Sequence, residues 1–168
     1  MKYIKEEFEL IKKKDPSIKS IFEVFLYPSF KAKLYYKISN KLYRKKHYFL
    51  ARYVSEKLKK KTGIEIHPGA TIGKNLFIDH GVGVVIGETA VIGDNVTIYQ
   101  GATLGTTGKV IENRHPIVGD NVIIGAGAII LGPLKIGNNA KIGAGAVVLG
   151  DVEENSTVVG VKAKKVIK

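Results

Sequence analysis

The chain has 168 residues, of which 45 % are hydrophobic, and this suits one domain or one domain with a small appendage. It contains no cysteine, which excludes disulfides, thiolate metal sites and a cysteine nucleophile together. No apolar run approaches the roughly 18 residues of a membrane span, and the basic N-terminus lacks the apolar stretch of a signal peptide. The sequence therefore predicts a cytoplasmic protein that is not embedded in a membrane.

The net charge of +12 is concentrated in the first part of the chain. Residues 1–65 hold 18 Lys/Arg against 7 Asp/Glu, whereas residues 66–168 hold 9 against 8. A basic half can bind nucleic acid or an anionic membrane surface, but no nucleic-acid-binding motif accompanies these lysines. We interpret the excess as a solvated helical face and expect no nucleic-acid partner.

Residues 1–63 are predicted to form a small α-helical region. Asp15 precedes a proline and is expected to cap a helix. Ser29 is expected to cap a second helix, and a third is predicted to end in lysines before Gly63. The first of these helices is predicted to have an apolar face, formed by Ile18, Ile21, Phe22 and Phe25.

From Ile66 onward the sequence has a period of six. Three runs of aliphatic residues follow it: Ile66, Ile72, Ile78; then Ile86, Ile92, Ile98, Leu104; then Val118, Ile124, Ile130, Ile136, Ile142, Val148. Such a repeat is typical of a parallel β-helix, in which three hexads form one triangular coil around the aliphatic residues. A β-sandwich would show alternating patterns with variable turns instead. The predicted fold is mainly β, a left-handed parallel β-helix over residues 64–168 that includes a C-terminal tail.

The repeat is interrupted twice, and both interruptions contain a histidine. The first, between the first and second runs, contains Asp79 and His80. The second, between the second and third runs, contains Arg114 and His115. A single histidine is more often structural than catalytic, but departures from a regular fold are where function is expected. Charged neighbours can orient an imidazole and bind an ionic substrate, so both segments are predicted to form an active site.

Several segments together resemble bacterial serine O-acetyltransferases, from Gly63 to about Gly160. They are GIEIHPGATIG, IDHGVGVVIGETAVIGDNVTIYQGATLG, TGK, NRHP, GAGAIILG and KIGAGAVVL. Hexapeptide repeats also occur in sugar acetyltransferases, but the combination of DHG with GET and of TGK with RHP is narrower. The resemblance implies direct transfer of acetyl from acetyl-CoA to the hydroxyl of L-serine, giving O-acetyl-L-serine in the first step of cysteine biosynthesis. It implies no acyl-enzyme and no metal.

The same resemblance assigns catalytic roles to three residues. His80 would be the general base that takes the serine hydroxyl proton. Glu65 would orient His80, at a position where the family often has Asp. His115 would contact the substrate or polarise the reacting group from a neighbouring subunit.

Substrate and coenzyme contacts are also implied by the resemblance. Asp15 and Asp79 would hold the serine ammonium, Arg114 would hold its carboxylate, and His115 would also contact the substrate. Each has a structural alternative, since Asp15 can simply cap a helix and Asp79 can simply occupy a corner. Coenzyme A would lie in the groove between two rods, against Thr107, Ala126, Lys141 and Ala144.

The resemblance also implies an assembly and a regulator. Family members form trimers with active sites between subunits, and hexamers when a long helical region joins two trimers. The short helical region here predicts a homotrimer, with a hexamer still open. L-cysteine is expected to be a feedback inhibitor. A complex with O-acetylserine sulfhydrylase is in doubt, because the tail ends Ile167-Lys168 instead of in isoleucine.

Three other functions are compatible with parts of the same pattern. An acetyltransferase for a sugar or nucleotide-sugar amine would keep the histidine base but would not need Arg114 and two aspartates. A γ-type carbonic anhydrase needs three histidine ligands, whereas the repeat interruptions supply only two. A purely structural rod would leave the charged pair Arg114-His115 without a purpose.

Overall fold

The computed structural model describes residues 2–108 and 112–164, with side chains from residue 4 onward. The described part begins with helices, which are α1 (Lys2–Lys14), a 3₁₀ helix (Ile21–Phe25), α2 (Pro28–Arg44) and α3 (Tyr48–Thr62). Lys109 of the TGK segment and the tail residues Ile167 and Lys168 lie outside the described residues. No described helix is long and apolar enough to cross a bilayer.

Short parallel strands follow the helices. They are β1 (Glu65–Ile66), β2 (Thr71–Ile72), β3 (Phe77–Ile78), β4 (Val85–Ile86), β5 (Val91–Ile92), β6 (Thr97–Ile98), β7 (Thr103–Gly105), β8 (Ile117–Val118), β9 (Ile123–Ile124), β10 (Ile129–Leu131), β11 (Lys135–Ile136), β12 (Lys141–Ile142), β13 (Val147–Val148) and β14 (Thr157–Val158). From β1 to β13, successive strands belong to successive sheets, so the chain winds around a three-sided rod.

We name the three sides of the rod by their sheets. Face A is β1-β4-β7-β10-β13, face B is β2-β5-β8-β11, and face C is β3-β6-β9-β12-β14. The register pairs corresponding hexad positions, for example Ile66 with Ile86 and Ile86 with Leu104. This arrangement confirms the predicted left-handed parallel β-helix after a helical region.

The interior of the rod is built from the residues that carry the six-residue period. Twelve of the thirteen aliphatic positions are buried, and Ile72 is partly buried against the same core. Small companions complete the cross-section and are also buried: Ala70, Ala90, Ala102, Ala128, Ala140 and Ala146. The winding continues for two sides beyond the predicted repeat, because Val152 bridges to Ile136 and β14 pairs with β12. The six-residue period did not predict this extension, because Val152 follows Val148 after only four residues.

The helical region closes the first coil of the rod. Leu58 and Ala32 pack against the rod core. The hydroxyl of Ser55 donates to the carbonyl of Ile66 (2.9 Å), and the hydroxyl of Tyr36 donates to that of Ala70 (2.7 Å). These contacts fix the helices relative to the first two strands.

Two of the predicted helix caps are wrong. Asp15 follows the end of α1 and caps no helix, whereas the 3₁₀ helix is capped by Ser20 in a capping box with Glu23. α2 begins at Pro28, and the buried hydroxyl of Ser29 instead accepts a hydrogen bond from the backbone N–H of Ile78 (3.1 Å). In both cases a side chain that could cap a helix instead accepts a hydrogen bond from a residue distant in sequence, Tyr27 for Asp15 and Ile78 for Ser29.

The predicted apolar face of the first helix is also partly wrong. Ile18 and Val24 are buried, but Phe22 is 76 % exposed and Phe25 is 45 % exposed. A 3₁₀ helix repeats every three residues, so Phe22 and Phe25 share an exposed side while Val24 lies on the buried side, and Ile18 precedes the helix. The predicted end of α3 is confirmed, since Gly63 has a φ of 70° and its N–H donates to Lys59 (2.8 Å).

Candidate active site

The two interruptions of the repeat lie at opposite edges of face A. Asp79 and His80 are in the turn from β3 on face C to β4 on face A. Arg114 and His115 come just before β8 on face B, in the connection from β7 on face A. The fold therefore places each histidine at an edge of the same face. We call Asp15, Asp79 and His80 the His80 corner, and Glu88, Arg114 and His115 the Arg114 corner.

The His80 corner brings a histidine and a carboxylate from separate parts of the chain together. His80 has a φ of 56° and an exposed side chain, and its backbone N–H donates to Asp79 Oδ1 (3.0 Å). A non-glycine residue in the left-handed region is uncommon and is held there by its surroundings. Asp15, at the end of α1, is close enough for the charge of His80 to act on its carboxyl group. An exposed imidazole and partly exposed carboxylates thus lie at one edge of face A.

Asp15 is fixed by a tyrosine that the sequence did not point to. The hydroxyl of Tyr27 donates to Asp15 Oδ2 (2.6 Å), and the backbone N–H of Ser17 donates to Oδ1 (2.9 Å). The pKa of Asp15 is lowered, chiefly by the bond from Tyr27, then by those from Ser17, with a smaller contribution from His80. The carboxylate is therefore ionised over the whole neutral range and suits a cationic ligand.

The Arg114 corner is organised by Glu88. Arg114 Nη2 donates to Glu88 Oε2 (3.1 Å), and the hydroxyl of Tyr43 donates to Oε1 (2.8 Å). The pKa of Glu88 is lowered, first by the bond from Tyr43 and then by the charges of His67 and Arg114. Sequence reasoning did not assign Glu88 or Tyr43, although Glu88 belongs to the GET segment, eight residues after His80.

His115 is buried and held in one orientation. Its Nδ1 lies 2.9 Å from Thr89 Oγ1 and accepts from the backbone N–H of Thr89 (3.2 Å). Since Nδ1 accepts, the neutral ring has its proton on Nε2, which can donate to a substrate. Burial lowers the pKa of His115, and Arg114 lowers it further. The imidazole lies directly against Gly87, where any Cβ would overlap it.

A cleft of about 370 Å³ borders this corner. It is lined by Tyr43, Tyr48, Arg52, His67, Pro68 and Glu88. His67 Nδ1 accepts from the N–H of Gly69 (3.0 Å), and burial lowers its pKa. In residues 2–108 and 112–164 no group of three or more His, Cys, Asp or Glu side chains could hold a metal ion.

Glu65 is not paired with His80 within one chain. Its Oε2 accepts from Lys59 Nζ (2.6 Å), and it lies near enough to His67 to act on that imidazole. No hydrogen bond or ion pair joins Glu65 to His80 in the described part of the chain. Glu65 begins β1 opposite Val85, at the same edge of face A as His80, but its carboxylate is taken by Lys59.

Two of the four predicted coenzyme contacts lie at the same edge of the rod as His80, between faces C and A. Backbone hydrogen bonds link successive coils there, from Gly101 to Val82 (2.9 Å), from Gly127 to Gln100 (2.8 Å) and from Gly145 to Ala126 (2.8 Å). Coils are spaced about 4.8 Å apart, so these turns form a column that extends about 14 Å beyond the His80 turn. The column contains Ala126 and Ala144.

The other two predicted coenzyme contacts lie elsewhere. Lys141 is exposed on face C, in β12. Thr107 follows β7 at the edge shared by faces A and B, near Gly132. One chain therefore does not bring all four residues to a single groove.

Known proteins resemble this chain over nearly its whole length. Residues 115–150 match the family described as bacterial transferase hexapeptide (six repeats). The chain is 52 % identical over 161 residues to the serine acetyltransferase of Helicobacter pylori (strain J99), covering 95 % of this chain and 94 % of that relative. It is 53 % identical over 162 residues to the serine acetyltransferase of Staphylococcus aureus (strain Mu50), covering 96 % and 76 %.

Solved structures superpose on both the helical region and the rod. Soybean serine acetyltransferase complexed with serine gives a TM-score of 0.88 at 44 % identity, over 94 % of this chain and 65 % of that one. Isoform 3 from Entamoeba histolytica in complex with cysteine gives 0.91 at 38 %, over 98 % and 59 %. The Brucella abortus (strain S19) protein in complex with coenzyme A gives 0.90 at 39 %, over 96 % and 65 %. The chain thus spans less than two thirds of each of these solved chains.

Proposed function

The chain belongs to the serine acetyltransferase family, and from this premise we propose that it acetylates L-serine at a site shared between two subunits. Acetyl-CoA is the acetyl donor. One observation carries the proposal: the base and the anion-binding groups occupy opposite edges of face A, so neither corner is a complete site by itself.

The exposed side of face A supports a trimer. Outward positions of its strands include Val85, Thr103, Ile129 and Val147, and Ile129 and Val147 are exposed. An aliphatic surface of this kind favours burial against other copies. If three copies turn face A toward a threefold axis, the His80 corner of each meets the Arg114 corner of the next. A homotrimer follows as the unit that completes the site.

The chemistry uses His80 as a general base. His80 takes the hydroxyl proton of serine while Oγ attacks the thioester carbonyl of acetyl-CoA. The new C–O bond forms, the C–S bond breaks, and the leaving thiolate takes the proton back from the imidazolium. The products are O-acetyl-L-serine and CoA, with no acyl-enzyme.

The remaining groups position the serine zwitterion. Asp15 and Asp79 bind its ammonium, and Arg114 binds its carboxylate with charge-assisted hydrogen bonds. His115 donates from Nε2, the nitrogen left free by Thr89. Glu65 would support His80 once Lys59 releases its carboxylate.

Coenzyme A is proposed to lie along the column of turns beyond His80. The thioester would sit at His80, and the pantetheine arm would extend past Ala126 toward Ala144. Lys141 and Thr107 would reach the coenzyme from the outer face and from the next subunit. The solved complex of the Brucella relative with coenzyme A supports a coenzyme site in this fold.

L-cysteine is proposed to compete with serine. It has the same ammonium and carboxylate, and it differs only in sulfur for oxygen, which such a pocket rejects poorly. The Entamoeba relative was solved in complex with cysteine. A cytoplasmic location, a possible hexamer and the doubtful sulfhydrylase complex stay predictions.

A thiol-release assay with acetyl-CoA tests the proposed activity. L-serine should give the fastest release among L-serine, homoserine and amino sugars. His80→Ala should lower turnover by about 10²- to 10⁴-fold, the usual effect of removing a general base. His47→Ala is the matched control, because His47 is exposed between α2 and α3 and should leave the rate unchanged. Faster release with an amino sugar would favour the alternative acetyltransferase, and near-normal turnover in His80→Ala would remove His80 from the mechanism.

A further inference from the structure

Tyr43 connects the helical region to the Arg114 corner. It lies near the end of α2, and its hydroxyl donates to Glu88 Oε1 (2.8 Å) on the rod. Its ring packs edge-on against His67 (centroids 5.7 Å apart) and against Tyr48 (5.1 Å). Because two rings hold the tyrosine ring, its hydroxyl presents a donor at a fixed position.

The two carboxylate oxygens of Glu88 accept hydrogen bonds from different donors. Oε1 is taken by Tyr43, and Oε2 accepts a single bond from Arg114 Nη2. Arg114 makes no further hydrogen bond among residues 2–108 and 112–164, and its Nε is buried without a partner. One edge of the guanidinium is thus turned inward, and Nη1 is left for a ligand.

Removal of the Tyr43 hydroxyl would change this arrangement. A carboxylate without a second donor can rotate and take Arg114 in a two-point contact, which is the preferred geometry of that pair. The donors of Arg114 would then be occupied by Glu88 and less available to an incoming carboxylate. The hydroxyl of Tyr43 therefore keeps Glu88 from closing on Arg114.

We propose that Tyr43 is a positioning residue for serine binding, which acts through Glu88 to hold Arg114 open for the substrate carboxylate. This inference rests on the proposed function, because it takes Arg114 as the carboxylate-binding group. It adds a role for the helical region, which thereby controls a contact at the rod surface. Tyr43 itself touches no reacting atom.

The first test is Tyr43→Phe, which removes one oxygen and keeps the ring. The KM for serine should rise about 5- to 20-fold, as expected for losing a hydrogen bond to a charged group. The kcat at saturating serine should stay within about twofold, and the KM for acetyl-CoA should not change. Tyr53→Phe is the matched control, since Tyr53 is exposed on α3 beside Lys57 and contacts neither corner. Equal unfolding midpoints for the wild type and both variants exclude a folding effect.

A double-mutant cycle separates action through Glu88 from a merely structural role. Glu88→Gln removes the charge that would close on Arg114, so adding Tyr43→Phe to Glu88→Gln should not raise the KM for serine, in contrast to Tyr43→Phe alone. A rise in the KM for serine from Tyr43→Phe that is as large with Glu88→Gln as without it, or an unchanged KM in Tyr43→Phe, would overturn the inference. Serine-dependent activity of the wild type would still uphold the proposed function. A wild type without serine-dependent thiol release would overturn both.

Discussion

The hydroxyl of Tyr27 lies 2.6 Å from Asp15 Oδ2, and this hydrogen bond is the main cause of the lowered pKa of Asp15. Asp15 follows α1, whereas Tyr27 stands at the N-cap position of α2. Burial and the bond to Asp15 raise the pKa of Tyr27, so it stays protonated and keeps donating at neutral pH. Two helices thus hold one carboxylate beside His80.

Tyr27→Phe is expected to weaken serine binding most strongly at low pH. Loss of the hydroxyl removes the main cause of the lowered pKa of Asp15, so this pKa returns toward its ordinary value of about 3.8. The Kd for serine should therefore rise more toward acid pH in the variant than in the wild type, because Asp15 must be ionised to bind an ammonium. The measurement is a calorimetric titration with serine between pH 7 and pH 4 without acetyl-CoA, since direct binding does not require the general base to be unprotonated. The same pH dependence of Kd in both proteins would mean that Asp15 does not control serine binding.

Gly87→Ala is expected to displace His115 and to lower activity by at least about tenfold. Any Cβ at residue 87 would overlap the imidazole, which must rotate away from Thr89. The backbone of Gly87 does not have a positive φ, so alanine causes no conformational strain of its own. Turnover and far-ultraviolet circular dichroism of the variant check this expectation.

Gly150→Ala is the control for that substitution. Nothing lies within 4 Å of a Cβ at Gly150, and its φ is not positive either. It should leave turnover unchanged. Full activity in Gly87→Ala would show that the orientation of His115 in this structure is not needed for the reaction.

The stability of the protein is expected to fall with pH below about 6.5. Burial is the main cause of the lowered pKa of His67 and of His115, so both are neutral when folded and the unfolded chain binds more protons. Their contribution is fully present above the unfolded value near 6.5 and is lost as pH falls through the lowered folded pKa. Urea midpoints between pH 8 and pH 5 measure this loss, which should be smaller in His115→Gln and unchanged in His47→Gln. Equal slopes in all three proteins would contradict the predicted protonation states.

The rod could be predicted because its period is local to the sequence. Aliphatic residues six positions apart, such as Ile86, Ile92 and Ile98, predict the β-helix from their spacing alone. The two interruptions of this spacing contain His80 and His115. The contacts of Tyr27 and Tyr43 could not be predicted, since each joins a helix to a distant residue and neither follows from helical periodicity. The cap expected at Asp15 failed for the same reason, because a tertiary partner competes with the local role.

L-cysteine is expected to inhibit competitively with serine. Both ligands would use Asp15, Asp79, Arg114 and His115, so Arg114→Ala should weaken cysteine inhibition and serine binding by similar factors. Initial rates at several serine concentrations, with millimolar cysteine, check the pattern. A non-competitive pattern would point to a separate site, and no inhibition would mean that the pocket rejects sulfur.

The last prediction concerns which subunits supply the His80 corner and the Arg114 corner of one active site. At serine concentrations near the wild-type KM, His80→Ala and Arg114→Ala should each be nearly inactive alone, because each lacks one half of every site. When the two variants are unfolded together in equal amounts and refolded, subunits mix at random. A site that takes His80 from one subunit and Arg114 from the next is then intact in about one case in four, so about a quarter of the wild-type activity should return. If both corners of a site came from the same chain, no mixture could contain an intact site. Activity that stays at the level of the separate variants, in a mixture shown by light scattering to have reassembled, would therefore place both corners within one subunit and remove the trimer from the mechanism.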